Sequence, residues 1–226
     1  MSDEIVSRIT YLYQTITMRH GVMIVGSTLS GKTTIINTLE ETLKRSRENE
    51  IQEKTIMYKH QKAKLMGKKH GKKLKNMKQG NNGAIDEIKL TPDDLKIIKA
   101  KCKNEGVETF YINPKSITID QLMGNFDETS HDWVDGILAY LMRECSIDTS
   151  NKRKWIVFDG PIDPIWVENL NSVLDDNKKL TLNTGETIKL SPSMNILIEA
   201  ENLSSCTPAT ISRCGMIYMQ EEQISK

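Results

Sequence analysis

The chain has 226 residues, with 31 Lys+Arg against 30 Asp+Glu for a formal net charge of +1, and 38% of it is apolar. That balance is ordinary for a globular protein and excludes collagen, coiled-coil arrays and wholesale disorder, while the length can bury a sizeable core. No apolar run approaches the roughly 18 residues of a membrane span, and Cys102, Cys145, Cys206 and Cys214 show no C-x-x-C spacing, so reduced thiols, an intracellular setting and no membrane partner are expected.

Gly21-Val-Met-Ile-Val25 is a short apolar run that predicts a fully buried strand. Gly26-Ser27-Thr28-Leu29-Ser30-Gly31-Lys32-Thr33, followed by Thr34, fits the G-x-x-x-x-G-K-[ST] phosphate loop without a departure. From Thr33 to Leu43, apolar residues at Ile35, Ile36, Leu39 and Leu43 have helical spacing. The loop therefore sits where its mechanism needs it, after a strand and opening a helix. Its glycines let backbone N–H groups turn toward one anion, and the helix N-terminus adds partial positive charge. Lys32 supplies a point charge for the β and γ phosphates, and Thr33 a hydroxyl for Mg²⁺.

Lys54 to Lys78 holds ten Lys and no acid, and it runs on into the Gly/Asn stretch Gln79-Gly-Asn-Asn-Gly83. Like charges with few large apolar neighbours cannot offset the entropy of ordering. A solvated, disordered insertion over about 47–90 is expected. A polyanion-binding patch at 54–78 is the sharper alternative, though Tyr58 is the one aromatic available for base stacking.

Glu108–Ile112 predicts the next strand, stopped by Asn113-Pro114. Ile119–Met142 is helical at both ends, with a turn-rich middle at Gly124–Gly136. Trp155–Phe158 is another buried strand, Trp166–Leu174 a helix, and Leu180–Leu190 a hairpin alternating about Asn-Thr-Gly. Met194–Ile198 and Gly215–Met219 are the last strands. Alternating strands and helices, with continuously apolar strands, predict an α/β fold whose parallel sheet is covered by helices on both faces.

Asp159 follows four apolar residues. It is expected to face Thr33 from the neighbouring strand and to hold Mg²⁺ through water. The next residue, where a catalytic base would stand, is Gly160, which cannot accept a proton. Asp163 and Glu168 lack the spacing to replace it.

The run Trp155 to Lys178 (WIVFDGPIDPIWVENLNSVLDDNK) resembles the second AAA+ module of dynein heavy chains. So do Ile112-Asn-Pro-Lys-Ser-Ile117, Ala209-Thr-Ile-Ser-Arg-Cys-Gly-Met216 and Arg19 to Gly26, the last in the manner of axonemal chains. The likeness spans about 10–46 and 107–220. It implies a P-loop NTPase sheet of order 5-1-4-3-2 and ATP or ADP with Mg²⁺ as ligands. It also implies a module that binds ATP without turning it over. The partners it implies are neighbouring AAA+ modules of one heavy chain, the motor linker and, through the intact motor, microtubules; the setting is cytoplasmic and cytoskeletal, in a ciliary or flagellar axoneme. Arg213, before the last strand, would be an arginine finger acting in trans on the preceding module. The polar sensor would fall near Glu201 and Asn202, neither a clean match. The irregular stretches at Gly124–Gly136 and Leu180–Leu190 resemble inserts that meet the linker, although passive loops fit equally. No helical lid follows the last strand, so a piece of a longer chain is expected. The rival readings are a stand-alone P-loop kinase or NTPase, for which no acceptor pocket or arginine-rich lid is visible, and a nucleic-acid-binding protein using 54–78.

Overall fold

The computed structural model describes residues 3–69, 89–102, 106–148, 150 and 152–220. They form two compact units, one of residues 1–41 with 107–226 and the other of residues 42–106.

The larger unit begins with α1 (Asp3–Met18), which buries Leu12 and Ile16. Then come β1 (Gly21–Val25) and the start of α2 (Lys32–Lys69). β2 (Gly106–Ile112) leads to α4 (Ile119–Met123), the hairpin β3 (Gly124–Phe126) and β4 (Trp133–Asp135), and α5 (Ile137–Ile147); α3 (Pro92–Ala100) belongs to the smaller unit. β5 (Lys152–Asp159) is followed by α6 (Pro164–Asn169) and α7 (Asn171–Leu174). The hairpin β6 (Lys179–Thr181) and β7 (Thr187–Lys189) precedes β8 (Met194–Ala200), α8 (Pro208–Arg213) and β9 (Gly215–Tyr218).

The five-stranded parallel sheet has the order β2-β5-β8-β1-β9. Counting only its own strands, this is the expected 5-1-4-3-2 read from the other edge. β8 is central and buried along its whole length. It pairs Ile196 with Gly21 on one side and Ile156 on the other. Trp155, Ile156, Val157 and Phe158 of β5 are fully buried, so these strands carry apolar side chains on both faces. Phe158 stacks on Trp166 of α6 with ring centroids 5.2 Å apart.

The turn-rich middle between α4 and α5 is an antiparallel hairpin. Phe126 pairs with Trp133, their rings edge to face at 5.2 Å. Gly124 is required there: its φ is +109°, and a Cβ would lie 2.4 Å from the Trp133 ring. Arg143 of α5 ties this hairpin to the later one. Its Nε donates to Asp135 at 2.9 Å and its Nη2 to Glu186 at 2.7 Å. The helix expected over Trp166–Leu174 is divided into α6 and α7 at Leu170.

The smaller unit corrects one expectation. Residues 47–69, read as the start of a disordered insertion, continue α2 as helix to Lys69. Acids at Glu48, Glu50 and Glu53 precede the lysines, and Glu50 pairs with Lys54 one turn on at 2.6 Å. The unit adds α3 (Pro92–Ala100), opened by a capping box between Thr91 and Asp94. Asp94 also accepts hydrogen bonds from Tyr58 at 2.8 Å and Lys62 at 2.6 Å. Lys62, the Thr91 amide and Tyr58 hold its carboxyl well below the usual carboxylate range. Local charge pairing therefore orders part of the lysine-rich run. The rest of it, residues 70–88, lies outside the described residues.

Candidate nucleotide site

The candidate site lies at the carboxyl ends of β1, β5 and β8, where open α/β sheets bind ligands. The sheet holds the loop's entry tightly. The Gly26 amide donates to Ala200 O at 3.0 Å, and the Met219 amide to Val25 O at 2.7 Å. A Cβ on Gly26 would lie 2.6 Å from the Met219 carbonyl oxygen and 2.7 Å from Ser30 Oγ, so only hydrogen fits. Ser30 N closes a turn onto Ser27 O.

Leu29, 98% exposed at the loop's apex, has a φ of 68°, and Gly31 one of 88°. An apolar side chain in the left-handed region is costly and persists where the surrounding structure imposes it. Thr28 is exposed beside it. Lys32 opens α2, and its Nζ donates to Gly26 O at 2.7 Å and Ser27 O at 2.8 Å. Thr34 is exposed in the first turn, its carbonyl accepting from Thr38 Oγ1.

Three buried polar atoms cluster here without a hydrogen-bond partner among the described residues: Ser27 Oγ, Ser30 Oγ and Glu199 Oε1. Buried polar atoms are almost always paired, and each such exception calls for a ligand, water or ion. Two hydroxyls and several amides beside a lysine at a helix N-terminus suit a phosphate chain.

The acid expected to face Thr33 is displaced by one strand. The strand beside β1 is β8, with β5 beyond it. Asp159, exposed at the end of β5, is in register with Glu199 of β8. It is Glu199 Oε2 that accepts the Thr33 hydroxyl proton, at 2.7 Å. Glu199 is 3% exposed, and burial, helped by the charge of Asp159, pushes its carboxyl upward against the opposing pull of Thr33 and Lys32. Burial and the nearby acids Glu40, Glu199 and Asp159 push the Tyr111 phenol of β2 up to about 12. The Tyr111 hydroxyl donates to Asn37 Oδ1 at 2.7 Å.

Among the described residues no group of three or more His, Cys, Asp or Glu is arranged to hold a metal. A divalent ion here would depend on phosphate and water oxygens, with Thr33 and the acids near the ends of β5 and β8, which is the habit of Mg²⁺.

Gly160 carries no base and is closely backed. A Cβ would lie 3.1 Å from Asn113 Oδ1 and 3.2 Å from Pro114 Cδ. Asp163 is committed as the N-cap of α6, accepting from Ile165 N at 2.7 Å. Glu168 and Glu201 are exposed. Asn202 accepts from the Ser204 amide and hydroxyl. Arg213 ends α8. Its Nη1 donates to Ala209 O at 2.7 Å, and its Nε stands 3.4 Å from Asp175 Oδ1, an ion pair without hydrogen-bond alignment.

A phosphate loop between the first strand and helix of this sheet order, with an acid ending the third strand, defines a P-loop NTPase module of the AAA+ class. The family described as AAA domain (dynein-related subfamily) matches residues 95–214, more than half of the 226. The chain belongs to that dynein-related subfamily. The matched stretch holds Asp159, Glu199 and Arg213 and begins after the phosphate loop, whose assignment rests on its motif and geometry. The chain is 38% identical to dynein axonemal heavy chain 12 of Homo sapiens over 217 residues, 96% of this chain and 5% of that protein. It is 36% identical to dynein axonemal heavy chain 3 of Homo sapiens over 219 residues, 97% of this chain and 4% of that protein. Dynein axonemal heavy chain 1 of Mus musculus is also 36% identical, over 209 residues that make up 92% of this chain and 4% of that protein. The chain thus spans about 5% of the length of these relatives. No helix of the described residues is long and apolar enough to cross a membrane.

Proposed function

We propose that this chain is the second AAA+ module of a dynein motor, binding ATP or ADP with Mg²⁺ and turning ATP over negligibly. The observation that carries the reading is the convergence of Lys32, Thr33 and three unpartnered buried polar atoms on one loop at a helix N-terminus. In binding, Lys32 exchanges its two loop carbonyls for phosphate oxygens, a charge-assisted contact. The loop amides and the Ser27 and Ser30 hydroxyls orient the phosphates, while Thr33 and Asp159 serve the metal, whose chemistry is to neutralise phosphate charge. Gly160 offers no acceptor for the proton of an attacking water, which supports binding without hydrolysis.

Arg213 belongs to the neighbouring site in this reading. Its side chain hydrogen-bonds within α8 and pairs with Asp175, with no hydrogen bond or ion pair to the local phosphate loop among the described residues. It would present a guanidinium fork to the nucleotide of the preceding module. The two hairpins braced by Arg143 would meet the motor linker. Partners would be the adjoining modules of the same heavy chain and, through the whole motor, microtubules. The setting would be cytoskeletal, in an axoneme.

Lys32→Ala tests the binding reading. Calorimetry with Mg²⁺ and ADP should show a loss of about 2–3 kcal/mol. Equal affinities for the parent and the variant would reject the site.

A further inference from the structure

Glu199 is the one acidic side chain at the site that no motif anticipates, and its placement is specific. It is the penultimate residue of the central strand β8 and is 3% exposed. It lies in register between Ile24 of β1 and Asp159 of β5. One carboxylate oxygen accepts a hydrogen bond from the Thr33 hydroxyl at 2.7 Å, and the other is buried and without a partner among the described residues. A buried carboxylate with one oxygen unused is expensive in an apolar strand.

We propose that Glu199 is a positioning residue for the divalent cation that accompanies nucleotide, a second acid beside Asp159. The inference rests on the phosphate-loop reading above. A threonine hydroxyl has one proton to donate and two lone pairs. By accepting that proton, Glu199 Oε2 fixes the Thr33 rotamer and leaves the lone pairs of its oxygen for the cation. Glu199 Oε1 is then an acceptor for water carried by the cation. Its charge adds to that of Asp159, so the site holds Mg²⁺ with two acids where the adjacent Gly160 supplies none. Groups that orient metal ligands in this way contribute about 10- to 100-fold to metal affinity when tested by substitution.

The experiment measures ADP affinity on the 226-residue chain, with excess Mg²⁺ and again in EDTA. The ratio of the two affinities reports the metal alone. Glu199→Gln keeps an oxygen able to accept from Thr33 but loses the charge and the second acceptor. Its ratio should fall about tenfold or more. Its affinity in EDTA should hold or improve, because a negative charge near the phosphates has gone. A merely structural role would lower both affinities together and leave the ratio unchanged, which overturns the proposal. Asp159→Asn supplies an independent arm that does not require the first variant to fold. With Glu199 intact it should retain part of the Mg²⁺ enhancement, and complete loss would show Asp159 to be the sole acid. Failure of the parent chain to bind ADP under either condition would instead overturn the phosphate-loop reading itself.

Discussion

Gly26→Ala tests whether the phosphate loop is held in place by the sheet. The added methyl would lie 2.6 Å from the Met219 carbonyl oxygen and 2.8 Å from Met219 Cβ, where ordinary contacts begin at 3.4 Å. The deficit is about 0.8 Å against backbone rather than against the end of a flexible side chain. Met219 cannot withdraw freely, because its amide is bonded to Val25 O at 2.7 Å, and Gly26 is itself tied to Ala200. Overpacking of this kind costs about 1–3 kcal/mol. At roughly 2–4 °C per kcal/mol for a chain of this size, Tm should fall by about 2–12 °C. Gly26 O also receives Lys32, so moving the loop displaces the cation, and ADP should bind at least about tenfold more weakly. Thermal unfolding by circular dichroism and calorimetric titration read the two effects. Gly31 separates sterics from conformation: a Cβ there meets nothing nearer than 3.8 Å, but φ is +88°. Gly31→Asn should therefore be milder than Gly31→Ala, since Asn tolerates positive φ, whereas at Gly26 both should fail. A Gly26→Ala protein with parental Tm and ADP affinity would refute the packing argument.

ATP turnover by the chain should stay below about 1 s⁻¹, and phosphate release above that would overturn the non-hydrolytic reading. Gly160→Glu should not restore it, because its Cβ would already press on Asn113 and Pro114 at 3.1 and 3.2 Å. Arg213→Ala should leave ADP binding beside Lys32 unchanged yet cut ATPase at the preceding module of the intact motor by about tenfold or more. Normal motor ATPase would show that the arginine serves elsewhere. His20, buried with Nε2 3.0 Å from Val173 O, has its pKa lowered from 6.5, first by burial and then by Lys178. The unfolded chain therefore binds the extra proton first, so the His20 contribution is intact above about pH 6.5 and is lost as pH falls below it. Chemical denaturation from about pH 7.5 to 5.5 should show a shallower stability loss in His20→Gln, and parallel curves would refute the assignment.

The sheet is legible because its inner strands, β1, β5 and β8, are buried along nearly their whole length. Val22 to Val25, Trp155 to Phe158 and Ile196 to Ile198 are apolar runs that need no partner to be recognised. Their order was not a matter of pattern, since no run states its neighbour; it came with the family resemblance. The extent of α2 is hidden by the lysine-rich run, whose like charges read as repulsion along its whole length. The pairing of Glu50 with Lys54 and the tie from Lys62 to Asp94, 32 residues on, convert part of that charge into attraction. The second of these is a non-local contact, invisible to any window of sequence.

The phosphate loop was legible for the opposite reason, since its chemistry is written in consecutive residues. Glu199 was not, although a signal existed. In Met194-Asn-Ile-Leu-Ile-Glu-Ala200 a carboxylate interrupts a wholly buried strand. A buried charge must find a partner, and the order 5-1-4-3-2 already set that strand beside β1, with Asp159 one strand further away. That order leads from Thr33 to Glu199 before Asp159. The two anomalies of the site are then separate facts of chemistry. Glycine at 160 removes the acceptor that an attacking water needs. In the proposed reading the glutamate at 199 would not replace it, with one oxygen engaged by Thr33 on the α2 side and the other given to the cation, because a base must have a free acceptor within reach of the proton it takes. In the proposed reading, a site built this way would gain hold on a metal–nucleotide complex without gaining the means to cleave it.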